Sequence, residues 1–280
     1  MPIVIAHRGA SGYRPEHTLA AYALGARQGA DYIEPDLVST SDGALVCRHE
    51  NEISGTTDVA DHAEFADRRA TKEIDGKPYD GWFTEDFTLA ELKTLRARER
   101  IPDVRPDNCA HDGEDEVPTL QEVIALAEQL GVGIYPETKH PAYHRSLGLA
   151  LEPRLVEALR ATSVPVFVQS FDPDSLRELA GALTVPLVQL VGAGPVDVAA
   201  IAGYAQAIGP AKQLVDTDLV EAAHAAGLAV HPYTFRREPH FLLDGDPDLE
   251  TELRRFFALG VDGVFTDHPD LAVAARARPS

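Results

Sequence analysis

The chain has 280 residues, 44% of them hydrophobic and 25% charged, with a formal net charge of −20. That is a globular composition, long enough for one large domain or two ordinary ones, and too acidic to follow a phosphate backbone with clustered Lys and Arg, which sets nucleic acid aside as a partner. No apolar run approaches the roughly 18 residues of a membrane span, and no basic segment leads an apolar one at the N-terminus, so the expected location is cytoplasmic unless a leader has been removed.

In chain order, the apolar run IVIA at 3–6 reads as a strand that runs straight into His7-Arg8-Gly9. Further strands are expected at 32–37, 132–136, 165–169, 186–190, 206–208, 228–233 and 262–266, the sixth carrying the weakest pattern. Apolar-periodic stretches fall between them: Leu19–Gln28, Leu120–Leu130, Pro153–Ala161, Ser175–Leu183, Asp218–Ala226 and Glu250–Leu259. Thr119 followed three residues later by Glu122 has the spacing of a capping box, and Gly131 and Gly227 stand where helices stop. Strands alternating with helices imply a parallel sheet. Eight such units point to a (β/α)8 TIM barrel, with a doubly wound open sheet as the alternative. The rhythm breaks between residue 50 and about 117. This stretch follows an extra strand at Ala44–Arg48 and is too polar to bury a large core of its own. We expect one barrel domain over 1–280, with 50–117 as an inserted lid or side lobe. Cys47 and Cys109 form no CxxC pair, and reduced thiols are expected.

Glu34 and Asp36 lie two apart on a strand, so they share a face. Two carboxylates so close in a low-dielectric place repel, and one takes up a proton unless a cation intervenes. An exposed pair on an edge strand would show the same spacing. Glu137, in GIYPETK at the end of the third strand, adds a third acid next door in barrel order. Three carboxylate oxygens suit one hard divalent cation, Mg2+ or Ca2+, whereas Zn2+ calls for more His or Cys. Lys139 shares the face of Glu137 and could meet an anion there, or be a solvated loop lysine. Of the 11 histidines, His7 and His49 end strands at this same rim, where a pair beside a metal suits general acid–base work. A strand-end histidine can equally be structural. His17 reads as a capping or orienting residue, and His231 as an interior one. The glycines of VGAGPVD lack the full GxGxxG spacing and read as a turn.

The segments HRGASGYRPEHT, GADYIEPDLVSTSDGALVCRHE, VPTLQE, GIYPETK, VQSFDP, VHPYTF and DGVFTDHPD, in this order, resemble the glycerophosphodiester phosphodiesterases, most of all the bacterial inserted, periplasmic-like type. The resemblance spans 3–50 and 117–272. It implies a TIM barrel with a small insertion after the catalytic hairpin and the hydrolysis of small-molecule glycerophosphodiesters to sn-glycerol 3-phosphate and an alcohol. It also implies His7 and His49 as acid and base, with Arg8 and Lys139 on the phosphate. Glu16 is implied beside them at the substrate, and Glu34, Asp36 and Glu137 on the metal. The attacking oxygen could be water, or first the glycerol's own hydroxyl by way of a cyclic phosphate. Two positions depart from the family pattern. His49 is followed by Glu50 where the family usually has Asp, and strand seven ends Tyr233-Thr234-Phe235 rather than Trp-Thr. A lysophospholipase D-like activity on lysolipids and a non-catalytic phosphoester-binding barrel are the rival readings. The first would want an apolar or basic interfacial rim, and the second would be expected to have lost part of the acid–base set.

Overall fold

A computed structural model describes residues 1–277. The first barrel strands are β1 (Ile3–His7), β2 (Tyr32–Glu34) and β3 (Asp36–Ser39), with α1 (Leu19–Arg27) between β1 and β2. β4 (Leu45–Cys47) pairs antiparallel with β3. The insertion holds a hairpin, β5 (Ala70–Ile74) and β6 (Lys77–Gly81), and a short helix α2 (Leu89–Leu92). Then follow α3 (Leu120–Leu130), β7 (Gly133–Ile134), β8 (Glu137–Thr138), α4 (Pro141–Ser146), α5 (Glu152–Leu159), β9 (Val168–Ser170) and α6 (Pro173–Ala180). The chain ends with β10 (Leu187–Val191), α7 (Val198–Ile201), β11 (Ala207–Pro210), α8 (Thr217–Ala225), β12 (Ala229–Val230), α9 (Leu249–Leu259), β13 (Gly263–Thr266) and α10 (Pro269–Arg276).

The strands run parallel in the order β13-β1-β2-β7 and β12-β11-β10-β9-β8-β3. β2 and β3 are one barrel strand interrupted at Pro35, and β7 and β8 are one interrupted at Pro136, because proline has no N–H for the ladder. The remaining seam is closed between the β12 strand and β13. Asp262 N donates to Val230 O (2.9 Å), Phe265 N to Pro232 O (3.0 Å) and Phe235 N to Phe265 O (2.8 Å). The ring so formed is the (β/α)8 barrel expected from the alternation. The sixth strand, weakest in the sequence, is present and one residue longer than expected.

Local chemistry sets the helix ends. Thr119 and Glu122 form the capping box, and Gly131 ends α3 in the left-handed region at φ 69°. Thr18 caps α1 and Asp172 caps α6 through backbone N–H groups. α2, α4, α7 and α10 were missing from the expected set. The first three are too short to show a period.

Side chains two apart on a strand point the same way, and that rule builds the barrel interior in layers. Ile5, Tyr32, Tyr135, Phe167 and Phe265 pack together as an apolar plug. Tyr135 stacks on Phe167 at 4.9 Å and meets Phe265 edge-on at 5.0 Å. His231 takes its place in this layer, hydrogen-bonded to the Tyr135 hydroxyl at 2.8 Å. Two residues further along the same strands stand His7, Glu34, Glu137, Gln169 and Asp267. The chemistry of the next layer up thus rests on a packed floor.

The insertion is less polar in space than in sequence. Phe65, Trp82, Phe87, Leu92 and Leu95 bury one another and are completed by Val38 and Val46 of the β3–β4 hairpin. Trp82 Nε1 donates to the Phe65 carbonyl at 2.7 Å. The insertion thus has a small apolar cluster, shared with the hairpin that leads into it. Neither Cys47 nor Cys109 is bridged. Among the described residues no helix is long and apolar enough to cross a membrane.

Candidate active site

All eight side chains singled out in the sequence come together at the C-terminal mouth of the barrel. His7 and Arg8 end β1, and Arg8 at φ 56° and Gly9 at φ 85° make the turn out of it. A Cβ on Gly9 would stand 2.6 Å from the Ala21 backbone, so only glycine lets the turn pass α1 this closely. Arg8 N donates to Glu34 Oε2 at 2.8 Å, which ties the turn to β2.

Glu34, Asp36 and Glu137 are buried, and each offers a carboxylate oxygen within 4.8 Å of the others. Burial and the charges of Asp36 and Glu137 push Glu34 well above the usual carboxylate range. Burial, opposed by Lys139 and reinforced by Asp36, pushes Glu137 up to about 8. Asp36 stays well below the usual range, because Lys139, His17 and Arg8 outweigh its burial. Three buried acids, two of them unable to ionise side by side, form a donor set that fits a hard divalent cation. Gln169 adds to the fit: its Nε2 donates to Glu34 Oε1 at 2.9 Å, while its buried Oε1 has no hydrogen-bond partner. Lys139 Nζ lies 2.8 Å from Glu137 Oε1 and 3.4 Å from Asp36 Oδ1.

Both histidines are held at Nδ1 by a carboxylate. His7 Nδ1 lies 2.6 Å from Asp267 Oδ1, and His49 Nδ1 is in close hydrogen-bond contact with Glu50 Oε2. The longer glutamate after His49 therefore still reaches its histidine. A carboxylate accepts, so Nδ1 carries the proton in both rings and Nε2 is the free nitrogen. Burial, with Arg8 adding to it, lowers His7 to about 4 against the pull of Asp267. Burial, with Arg8 and Lys139, lowers His49 to about 3 against the pull of Glu50. At neutral pH both rings are neutral.

Glu16 sits beside the site, against Arg8. Its carboxylate is occupied by two guanidiniums, Arg8 Nη1 at 2.9 Å and Arg100 at 2.8 and 2.7 Å. It braces Arg8 and does not line the main cavity. His17 orients, as expected, with Nε2 2.9 Å from Asp36 Oδ2, though the helix cap is Thr18. Sequence reasoning missed Asp267, Gln169, Arg236, Arg100 and Arg105. The first two were within its reach, since Asp267 and Gln169 each follow an inward-facing phenylalanine by two residues.

A cavity of about 380 Å³ opens over this cluster, lined by His7, Arg8, Glu34, His49, Glu137 and Lys139, with Leu190, Tyr233 and Phe241 among its walls. A second, of about 500 Å³, runs on past His49 and Phe171 to Asp75 and His140.

Residues 7–271 match the glycerophosphoryl diester phosphodiesterase family. A glycerophosphodiester phosphodiesterase of Arabidopsis thaliana is 36% identical, covering 95% of this chain and 83% of the relative. One from Haemophilus influenzae is 31% identical over 97% and 88%. Among solved structures, an Oleispira antarctica phosphodiesterase in complex with its product sn-glycerol-3-phosphate superposes with a TM-score of 0.74 at 26% identity, covering 99% of this chain and 98% of that one. With a collinear match over nearly its whole length and with the barrel in place, the chain belongs to the glycerophosphoryl diester phosphodiesterase family and is an enzyme of that activity.

Proposed function

We propose that the protein hydrolyses small glycerophosphodiesters to sn-glycerol 3-phosphate and an alcohol, with His7 and His49 as the acid–base pair. One observation carries the reading: two imidazoles, each pinned at Nδ1 by a carboxylate, line one cavity together with a buried acid triad and the cations Arg8 and Lys139.

Arg8 presents a planar fork to two phosphate oxygens, and Glu16 and Asp36 keep that fork in register. Lys139 offers a point charge from the neighbouring strand. Glu34, Asp36 and Glu137 are the residues that would hold a divalent cation of the Mg2+ or Ca2+ class, which when bound neutralises phosphoryl charge and polarises the phosphorus. Both imidazoles are neutral with Nε2 available, so either can accept the proton of the attacking oxygen. The seated phosphodiester anion favours the protonated form of the other, which returns a proton to the leaving alkoxide. Asp267 and Glu50 stabilise whichever ring becomes cationic. The second cavity, reached past His49, gives the leaving alcohol room.

The size and lining of the site favour a soluble substrate over a lysolipid. Among the described residues the strongly exposed large apolar side chains are Met1, Val104, Leu147 and Phe171, and only Phe171 stands at the mouth. The test compares glycerophosphocholine with a lysolipid, follows release of glycerol 3-phosphate, and repeats the assay with EDTA and with His7→Ala and His49→Ala. Turnover of the lysolipid alone, or full activity in both alanine variants, would overturn the reading.

A further inference from the structure

The insertion reaches into the site with two arginines, and each grips the carboxylate behind one histidine. Arg100 Nη2 donates to Glu50 Oε1 at 2.7 Å, while the other oxygen of Glu50 holds His49. Arg105 Nη2 donates to Asp267 Oδ2 at 2.7 Å, while the other oxygen of Asp267 holds His7. The two contacts are parallel in design: an arginine of the insertion, the carboxylate behind a histidine, and the Nδ1 of that histidine.

Each arginine is itself fixed. Arg100 is bidentate on Glu16, which passes the constraint to Arg8. Arg105 is buried, with Nε 2.5 Å from Glu238 Oε1 and Nη1 donating to the Ser11 carbonyl at 2.9 Å. Ser11 Oγ in turn donates to the carbonyl of His7 at 2.8 Å. Asp267 has a second cation in Arg236 at 2.9 Å, whereas Arg100 is the arginine on Glu50. A glutamate has three rotatable bonds, and Glu50 is half-buried, so without Arg100 it can swing and let the imidazole turn. Planar forks held at both ends prevent that.

We propose that Arg100 and Arg105 are positioning residues for His49 and His7, so that the 50–117 insertion is part of the proton-transfer machinery and not only a cover. The inference rests on the acid–base reading above. It goes further in assigning each histidine its own arginine.

The test uses R100Q, R105Q and the lysine variants R100K and R105K, assayed on glycerophosphocholine and on a glycerol p-nitrophenyl phosphodiester. A p-nitrophenolate leaves without a proton, so that ester bypasses the general acid and still needs the base. We expect kcat on glycerophosphocholine to fall about 10- to 100-fold in R100Q and R105Q, as losses of supporting contacts do, with KM within about threefold. One of the two should recover most of its loss on the nitrophenyl ester and the other should not, which also identifies the acid. Lysine, a single point donor, should not restore the fork. Wild-type kcat in both glutamine variants, or equal losses on both esters in both variants, would overturn the proposal. Thermal melts confirm the folded fraction. Should a glutamine variant not fold, Glu50→Gln and Asp267→Asn test the same contacts from the carboxylate side under the same criteria. His7→Ala and His49→Ala run alongside: if they stay active, the acid–base reading fails, whereas if they are dead and the arginine variants are normal, only this inference fails.

Discussion

A divalent cation binding at Glu34, Asp36 and Glu137 should expel protons, and the geometry gives their number. Asp36 is already ionised, held down by Lys139, His17 and Arg8 against its burial. Glu137 titrates at about 8, so at pH 7 about nine in ten molecules carry its proton. Glu34 is pushed up by burial and by both neighbouring acids, and adds to the release. Binding at pH 7 should therefore release about one proton per ion from Glu137, with a further contribution from Glu34. Each displaced proton makes affinity rise about tenfold, or ~1.4 kcal/mol, per pH unit. The slope should fall above pH 8, once Glu137 has ionised unaided. The sign for stability follows from the same shift. A carboxyl whose folded value lies above its unfolded value of 4.5 binds more protons folded than unfolded. The metal-stripped protein therefore loses stability as pH rises from near 4.5 toward about 8, and a saturating cation restores it. Titration calorimetry at pH 7 in two buffers of different ionisation enthalpy counts the protons, and affinities at several pH values give the slope. A binding constant independent of pH, with the same apparent heat in both buffers, would mean three acids already ionised, and the reasoning would be wrong.

The other tests concern stability and charge. His144 is fully buried with neither ring nitrogen hydrogen-bonded, and burial lowers it to about 4. Its unfolded form protonates near 6.5, so stability should fall by about 3 kcal/mol as pH drops from 6.5 to 4. His144→Leu should abolish that part of the acid limb in urea titrations and cost less than about 1 kcal/mol at pH 7, and an unchanged limb would count against it. Gly9→Ala should lose about 3 kcal/mol or more through its positive φ and the Ala21 backbone clash, and a loss under about 0.5 kcal/mol would refute the steric argument. Lys212 and Glu252 are a buried ion pair at 2.8 Å. Lys212→Met should cost about 3–5 kcal/mol, with K212M/E252Q recovering part of it, and equal stability of the two variants would contradict this. The −20 surface should repel an anionic glycerophosphodiester at low salt. Its kcat/KM should rise with ionic strength while that of zwitterionic glycerophosphocholine changes less, and a fall for both would show that surface charge does not govern approach.

What could be read in the sequence was what local rules encode. Glu34 and Asp36 share a face because the strand period is two, and chain order alone puts Glu137 next to them. The same rule places Asp267 two residues past Phe265. It went unused there because the expected strand ends at residue 266 and Asp267 falls just beyond it. Pro35 and Pro136 break their strands without moving the acids, since the ring of strands holds the register across each gap. The insertion was opaque for a different reason. Phe65, Trp82 and Phe87 are scattered through charged residues with no helical or strand period, and only tertiary packing shows that they form a cluster. Arg100 and Arg105 look like any other charges in that stretch. Their role depends on carboxylates 50 and 162 positions away along the chain.

The charge of the site explains how so acidic a protein accepts an anion at all. Among the described residues, the cations at the mouth are all paired. Arg8 is bound to Glu16 and Asp36, Arg236 to Asp267, and Lys139 to Asp36 and Glu137. Paired this way, they present little net positive potential, and a phosphodiester entering would meet Glu34 and Glu137 either protonated and useless as anchors or ionised and repulsive. The balance would change if those carboxylates held a divalent cation: Lys139, now paired with Glu137 and Asp36, would be freed to meet a phosphate oxygen. Arg8 differs in having Glu16, which is not one of the three triad acids, as a second brace beside Asp36. We propose that substrate recognition combines a braced arginine with a lysine that a cation at the acid triad would release.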